Sequence, residues 1–90
     1  MNRGRFDRDR LPRPVDYFER VGLRLIGHGL WRGARCPFHE DTHPSFSVNT
    51  QSGGYICHAC GARGGDVLDF HRARYGLSFL QAARDLGALR

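Results

Sequence analysis

Two short ligand pairs constrain this chain more than anything else in it. Cys36-Pro37-Phe38-His39 and Cys57-His58-Ala59-Cys60 each place two metal-binding side chains with two residues between them, and 17 residues (40–56) separate the pairs. Two tight turns of this kind aim four donors at one point. Three thiolates and one imidazole fill the tetrahedral shell that Zn²⁺ prefers, and a closed four-ligand shell makes the ion structural rather than a Lewis acid. Other readings of the cysteines fit less well. A Cys57/Cys60 redox dithiol wants a thioredoxin-like βαβ setting and leaves Cys36 and His39 without a role. A disulfide framework suits neither three cysteines nor a chain that starts without a secretion signal. An iron–sulfur cluster ordinarily takes four thiolates, although His can substitute. Among the five histidines, spacing favours His39 as the ligand, with His43 and His58 near enough to replace it. His71 is expected to pack on its helix.

A metal staple answers a size problem. A chain of 90 residues buries only about 60–65 % of the surface its unfolded form exposes, so its core is marginal alone. Zinc adds an apparent ~10–16 kcal/mol of folding free energy at neutral pH. The length excludes a complete multi-domain enzyme. Hydrophobic residues at 40 % and charged residues at 26 % are those of a globular chain and too apolar for a disordered one. No apolar run approaches the ~18 residues of a membrane span. The opening Met1–Pro14 lacks the apolar stretch of a secretory signal. These features place the protein in reducing cytoplasm, away from membranes.

The charge is lopsided. All 14 basic residues are arginine, and the net charge is +5. Residues 1–35 hold nine Arg against four acids, whereas residues 36–90 balance five against five. The excess therefore precedes the first cysteine, and no acid interrupts the set Arg20, Arg24, Arg32 and Arg35. Such a strip favours a polyanion, foremost nucleic acid. An arginine-biased genome and simple solubility are the bland alternative.

The chain divides into an arm and a body. Residues 1–14 alternate Arg and Asp and offer only Phe6 and Leu11 as sizeable apolar groups. They are expected to form a flexible Arg-rich arm, because so little burial does not offset ordering entropy. The body, residues 15–90, is expected to open with a short helix capped by Asp16 and running to Gly22. Leu23–Gly27 and Leu30–Arg35 read as strands of a hairpin turning at Gly27-His28-Gly29. Phe46–Val48 and Tyr55–Cys57 read as two more, joined across Asn49–Gly54. Asp66 is positioned to cap a helix ending near Tyr75, with Gly76 as its left-handed terminator. Ser78 and Gln81 then have the spacing of a capping box, and Phe79, Ala82, Ala83 and Leu86 form the apolar stripe of a last helix.

The run CPFHEDTHPSFSV, then GGYICHACGARGGDVLDF, then LSFLQAARDLG resembles the zinc-binding domain of bacterial and phage DNA primases, the Cys-His-Cys-Cys family. The likeness extends from about Val15 to Leu89. It implies a small α+β zinc ribbon: an antiparallel sheet of about four to five short strands, the metal between two knuckles at one end, an N-terminal helix and two C-terminal helices. It implies Cys36, His39, Cys57 and Cys60 as the ligands of one structural Zn²⁺. It further implies recognition of single-stranded template during primer initiation, beside a separate polymerase domain or another replication protein acting in trans.

Two departures from the family stand out. The family commonly carries Lys before Thr-Pro-Ser-Phe, and this chain has Asp41-Thr42-His43-Pro44-Ser45-Phe46. Its carboxylates, Glu40, Asp41, Asp66 and Asp69 among them, are also too few and too scattered for two-metal phosphoryl transfer, so the chain alone is expected not to be an enzyme. The candidate nucleic-acid residues are Arg24, Trp31, Arg32, Arg35 and Arg63. Trp31 beside Arg32 and Arg35 reads either as a base-stacking platform or as the core aromatic of a thin sheet. In an alternating strand, Trp31, Gly33 and Arg35 share one face and Arg32 the other. Tyr55 reads more simply as core. Arg63, set among glycines, is either a phosphate contact or a solvated loop arginine. A protein-interaction zinc ribbon of a phage or mobile element, with incidental DNA affinity, is the alternative function.

Overall fold

In the computed structural model, residues 5–90 are described. Four strands, β1 (Trp31–Ala34), β2 (Phe46–Asn49), β3 (Tyr55–Cys57) and β4 (Arg63–Gly64), form an antiparallel sheet in sequence order. Helix α1 (Pro14–Arg20) precedes the sheet, and α2 (Val67–Tyr75) and α3 (Phe79–Asp85) follow it. This is the small α+β architecture the sequence leads one to expect, with local differences.

The two C-terminal helices start and stop where their side chains dictate. The Asp66 carboxylate accepts the Asp69 amide, and α2 closes at Gly76 in the left-handed region, φ 66°. Ser78 and Gln81 complete the capping box reciprocally. Helix α1 differs from expectation. It begins at Pro14, whose fixed φ suits a first helical position, and Asp16 lies inside the first turn, 3.2 Å from Arg13. The expected strand Leu23–Gly27 shrinks to one bridge, Ile26 with Gly33, made by reciprocal hydrogen bonds of 2.7 and 2.9 Å. Gly27 and Gly29, both at positive φ, carry the turn between the bridged residues. Strand β4 was not foreseen, because Arg63-Gly64 carries no strand signature of its own and is recruited by pairing with Tyr55 and Ile56.

Register sorts the sheet into two faces. Ala34, Phe46, Val48, Tyr55 and Cys57 point inward and are buried, meeting Tyr17, Phe18, Val67 and Phe70 from α1 and α2. The Phe70 ring stands edge-on to Phe18, Tyr55 and Tyr17 at centroid distances of 5.1, 5.3 and 5.7 Å. Leu68 turns the other way, onto Ala82, Ala83 and Ala88. Of the expected α3 stripe, the two alanines are buried, whereas Phe79 is partly exposed and meets Phe6 edge-on at 5.1 Å.

That contact belongs to the segment expected as an arm. Residues 1–4 lie outside the described residues, but from Arg5 onward the segment makes defined contacts with the end of the chain. Phe6 bridges Leu89, the Asp7 amide donates to Ala88 at 2.7 Å, and the Asp7 carboxylate meets Arg90 at 2.9 Å. Arg8 reaches Asp66 at 2.6 Å, and a 3₁₀ turn spans Arg8–Arg10. Local composition undercounts what such a segment can bury, because Phe79 and Leu89 supply the partner surface from the far end of the sequence.

His71 ties three helices together. Its Nδ1 lies 2.6 Å from the Tyr17 hydroxyl and its Nε2 2.5 Å from Asp85. A neutral imidazole satisfies both, accepting from Tyr17 and donating to Asp85. Tyr17→Phe keeps the ring and strands a buried imidazole nitrogen, at a cost of about 1–3 kcal/mol. A thermal melt of the zinc-loaded protein is expected to show a midpoint lower by several degrees; an unchanged midpoint would show that the bond contributes nothing net.

Candidate metal centre and the sheet face beside it

The first knuckle leaves the sheet directly after β1, and the second begins at the last residue of β3. Phe38, between Cys36 and His39, packs against Phe46, Tyr55 and Phe70 at 6.2, 6.0 and 5.5 Å, which pins the first turn to the core. In the second turn the Cys57 amide donates to Ala62 and the Gly61 amide returns to Cys57, with Gly61 at φ 80° where a side chain would be strained.

The four expected ligand atoms converge. The Sγ atoms of Cys36, Cys57 and Cys60 and a ring nitrogen of His39 all lie within 4.8 Å of one another. Cys36 Sγ to Cys60 Sγ is 3.8 Å, and Cys57 Sγ to His39 Nε2 is 3.4 Å. Zn–S bonds of about 2.3 Å at tetrahedral angles require edges of about 3.7 Å, so the donor set fits one zinc ion. His39 Nδ1 lies 2.6 Å from the Glu40 carbonyl, which holds the proton there and leaves Nε2 as the donor atom. His43 is exposed, and His58 turns to Ser47 at 3.5 Å; neither joins the cluster.

The electrostatics call for a cation. Burial pushes the Cys36 thiol up to about 12, and the neighbouring Cys57 and Cys60 sulfurs add to it. Although burial opposes it, the Ser45 hydroxyl, the amides of Cys60 and Ala59 and His39 hold Cys57 down to about 5. Three thiolates cannot ionise side by side without a positive charge between them, and a divalent cation reverses the balance.

Asp41 is the residue that reasoning from sequence missed. Its Oδ2 accepts the Cys36 amide at 2.8 Å, the Ser45 hydroxyl at 2.8 Å and the Ser45 amide at 3.3 Å. The Cys36 amide, with Ser45 adding to it, lowers the carboxyl to about 2 against slight burial. The Ser45 hydroxyl in turn sits 3.5 Å from Cys57 Sγ, so Asp41 links the two knuckles. The Asp41 carboxylate is thus turned inward onto the metal turns. Removing such an outer partner typically costs about 10–100-fold in metal affinity. Asp41→Ala is expected to fall in that range in a competitive chelator titration, and an unchanged affinity would make the link incidental.

The candidate nucleic-acid residues divide by face. Trp31, Gly33, Ser47, Ile56 and Arg63 alternate outward. The indole is 51 % exposed, which removes the core reading of Trp31, whereas Tyr55 is core, as expected. Trp31, Ile56 and Arg63 line one shallow cleft of about 450 Å³. Arg24 and Arg35 line a second cleft of about 630 Å³ with Ile26 and Pro44, next to the single Ile26–Gly33 bridge. Arg32 does not join them. It pairs with buried Val48 on the inner face, and its Nε is buried without a hydrogen-bond partner. Among the described residues, Arg8, Arg10, Arg13 and Arg90 pair with acids, and Arg24, Arg35 and Arg63 do not.

The CHC2 zinc-finger family matches residues 18–89, and the ligands and sheet just described lie within that span. The chain belongs to this family. The DNA primase of Helicobacter pylori is 43 % identical over 82 residues, covering 87 % of this chain and 14 % of that protein. The DNA primase of Thermotoga maritima is 45 % identical over 68 residues, covering 76 % and 12 %. The crystal structure of the Aquifex aeolicus primase, comprising zinc-binding and RNA polymerase domains, superposes with a TM-score of 0.69 at 29 % identity, over 88 % of this chain and 20 % of that one. This CHC2 chain thus spans only a small part of the relatives it matches, with the fold and the zinc ligands of a primase-type zinc-binding module. No helix among the described residues is long and apolar enough to cross a membrane.

Proposed function

We infer that this CHC2 module binds single-stranded template DNA on the outer face of its sheet, in the cytoplasm, during primer initiation. Primer synthesis itself is assigned to a separate polymerase domain, since among the described residues the carboxylates do not converge on a second metal site. One observation supports the reading: Arg24 and Arg35 line one cleft with no acidic partner among the described residues, and the exposed Trp31 lines another with Arg63. Two guanidinium groups lining one cleft repel each other, and a strand phosphate between them relieves that repulsion. The indole and Ile56 offer bases a flat apolar surface, and the zinc knuckles hold one end of the sheet rigid.

Anisotropy of the zinc-loaded protein with a labelled ~20-mer single strand and with its duplex, at two salt concentrations, tests this reading. Preference for the single strand is expected, and the double variant Arg24→Gln/Arg35→Gln should flatten the salt slope by about 1.4, two contacts at ~0.7 each on a single strand. Equal, weak binding of strand and duplex would remove it. A second reading rests on the helices, where Tyr75, Phe79 and Leu80 are exposed. If that surface docks a protein partner and DNA affinity is incidental, Leu80→Asp abolishes partner capture and the arginine variants do not.

A further inference from the structure

The outer-face cleft does not end at the sheet. Arg63 and Gly64, which line it together with Trp31, also line a second cleft of about 400 Å³ on the far side of β4, where Arg72 of α2 forms part of the wall. The two clefts share Tyr55, Arg63 and Gly64 in their linings, and β4 is only two residues long. The Tyr55 ring passes so close beneath Gly64 that a Cβ there would lie 2.6–2.8 Å from its ring and hydroxyl. Glycine at 64 therefore leaves room for the Tyr55 ring, which lines both clefts.

The chemistry of the second cleft suits an anion. Arg63 and Arg72 are both exposed, and neither makes an ion pair among the described residues. The one carboxylate in the lining, Asp69, is turned to the Gly65 amide, which its Oδ2 accepts at 2.9 Å. Tyr55 lines the same cleft and brings a hydroxyl to it. Two guanidinium groups and a hydroxyl around an open hollow match the donor geometry that phosphate oxygens accept.

We propose that Arg63 and Arg72, which line one cleft with Tyr55, hold a phosphate group between β4 and α2. This rests on the reading of the outer face as the strand-binding surface, which it extends over the β4 edge. Arg72 becomes a binding residue in its own right. The phosphate belongs either to the strand leaving the sheet or to a free nucleotide, and the same contacts serve both.

The test uses the zinc-loaded full chain with two probes, a labelled ~20-mer single strand and ATP. Arg72→Gln preserves helix propensity at an exposed position, Tyr55→Phe keeps the ring and removes only the hydroxyl, and Arg84→Gln is the charge-matched control outside the cleft. Arg72→Gln is expected to weaken one probe about tenfold, as loss of one charged hydrogen bond does, and Tyr55→Phe to weaken the same probe by less. Loss on the strand, with the salt slope flattened by about 0.7, assigns the phosphate to the strand; loss on ATP alone assigns it to a free nucleotide. If Arg72→Gln behaves like Arg84→Gln with both probes, or if neither probe binds the wild-type chain, the proposal is overturned. If the wild-type chain binds ATP and not the strand, the reading of the outer face fails by itself and the ATP arm alone decides this cleft.

Discussion

Replacing Cys57 with serine is expected to leave a chain that no longer holds zinc at equimolar metal and no longer melts cooperatively. Cys57 is buried at the end of β3 and lies beside both knuckles. The apparent ~10–16 kcal/mol of a structural zinc site equals or exceeds the whole ~5–15 kcal/mol stability of an ordinary domain, and the core is small. Adding a chelator to the unmodified protein should unfold it in the same way, read by circular dichroism. Acid should do so too. Zinc needs thiolates, and burial holds the Cys36 thiol up at about 12 without the metal. Metal binding therefore releases protons, its contribution grows as pH rises, and that contribution is lost as pH falls. A Cys57→Ser chain that still unfolds cooperatively near the original midpoint would show that the core stands without the ion.

The second large effect is expected at Trp31. Stacking on an aromatic side chain contributes about 1–3 kcal/mol per base, so Trp31→Ala should weaken single-strand binding by roughly 5- to 150-fold. The indole is half in solvent and outside the buried core, so the thermal midpoint should move little. The separation of the two effects is the informative part. Loss of binding together with stability would mean that the indole supports the sheet; loss of neither would leave the arginines as a general electrostatic surface.

Features set by neighbours in sequence were legible before the fold was known. The two-residue ligand spacings, the Asp66 and Ser78 caps and the Gly76 terminator are local devices, and each is present as read. Features set by distant partners were not. Nothing near Phe6 announces Phe79 and Leu89, and nothing in Arg63-Gly64 announces a strand until Tyr55 and Ile56 pair with it. Arg32 and Arg35 look equivalent in a charge count, yet one lies on the inner face of the sheet and the other lines the outer cleft. Asp41 reads as one scattered carboxylate until it is seen to accept the Cys36 amide. The spacing Cys36-x4-Asp41-x3-Ser45 was the available signal, and it becomes meaningful only once both knuckles close on one metal.

The central claim is that the outer sheet face beside the zinc knuckles holds a single strand, and amide and side-chain NMR of the zinc-loaded protein during titration with a ~20-mer tests it most directly. Shifts are expected at the Trp31 indole, Ile56 and the guanidinium groups of Arg24, Arg35 and Arg63, with the buried Ala82 and Ala83 unchanged. Shifts confined to Tyr75, Phe79 and Leu80, or no shifts with the strand in excess, would contradict it.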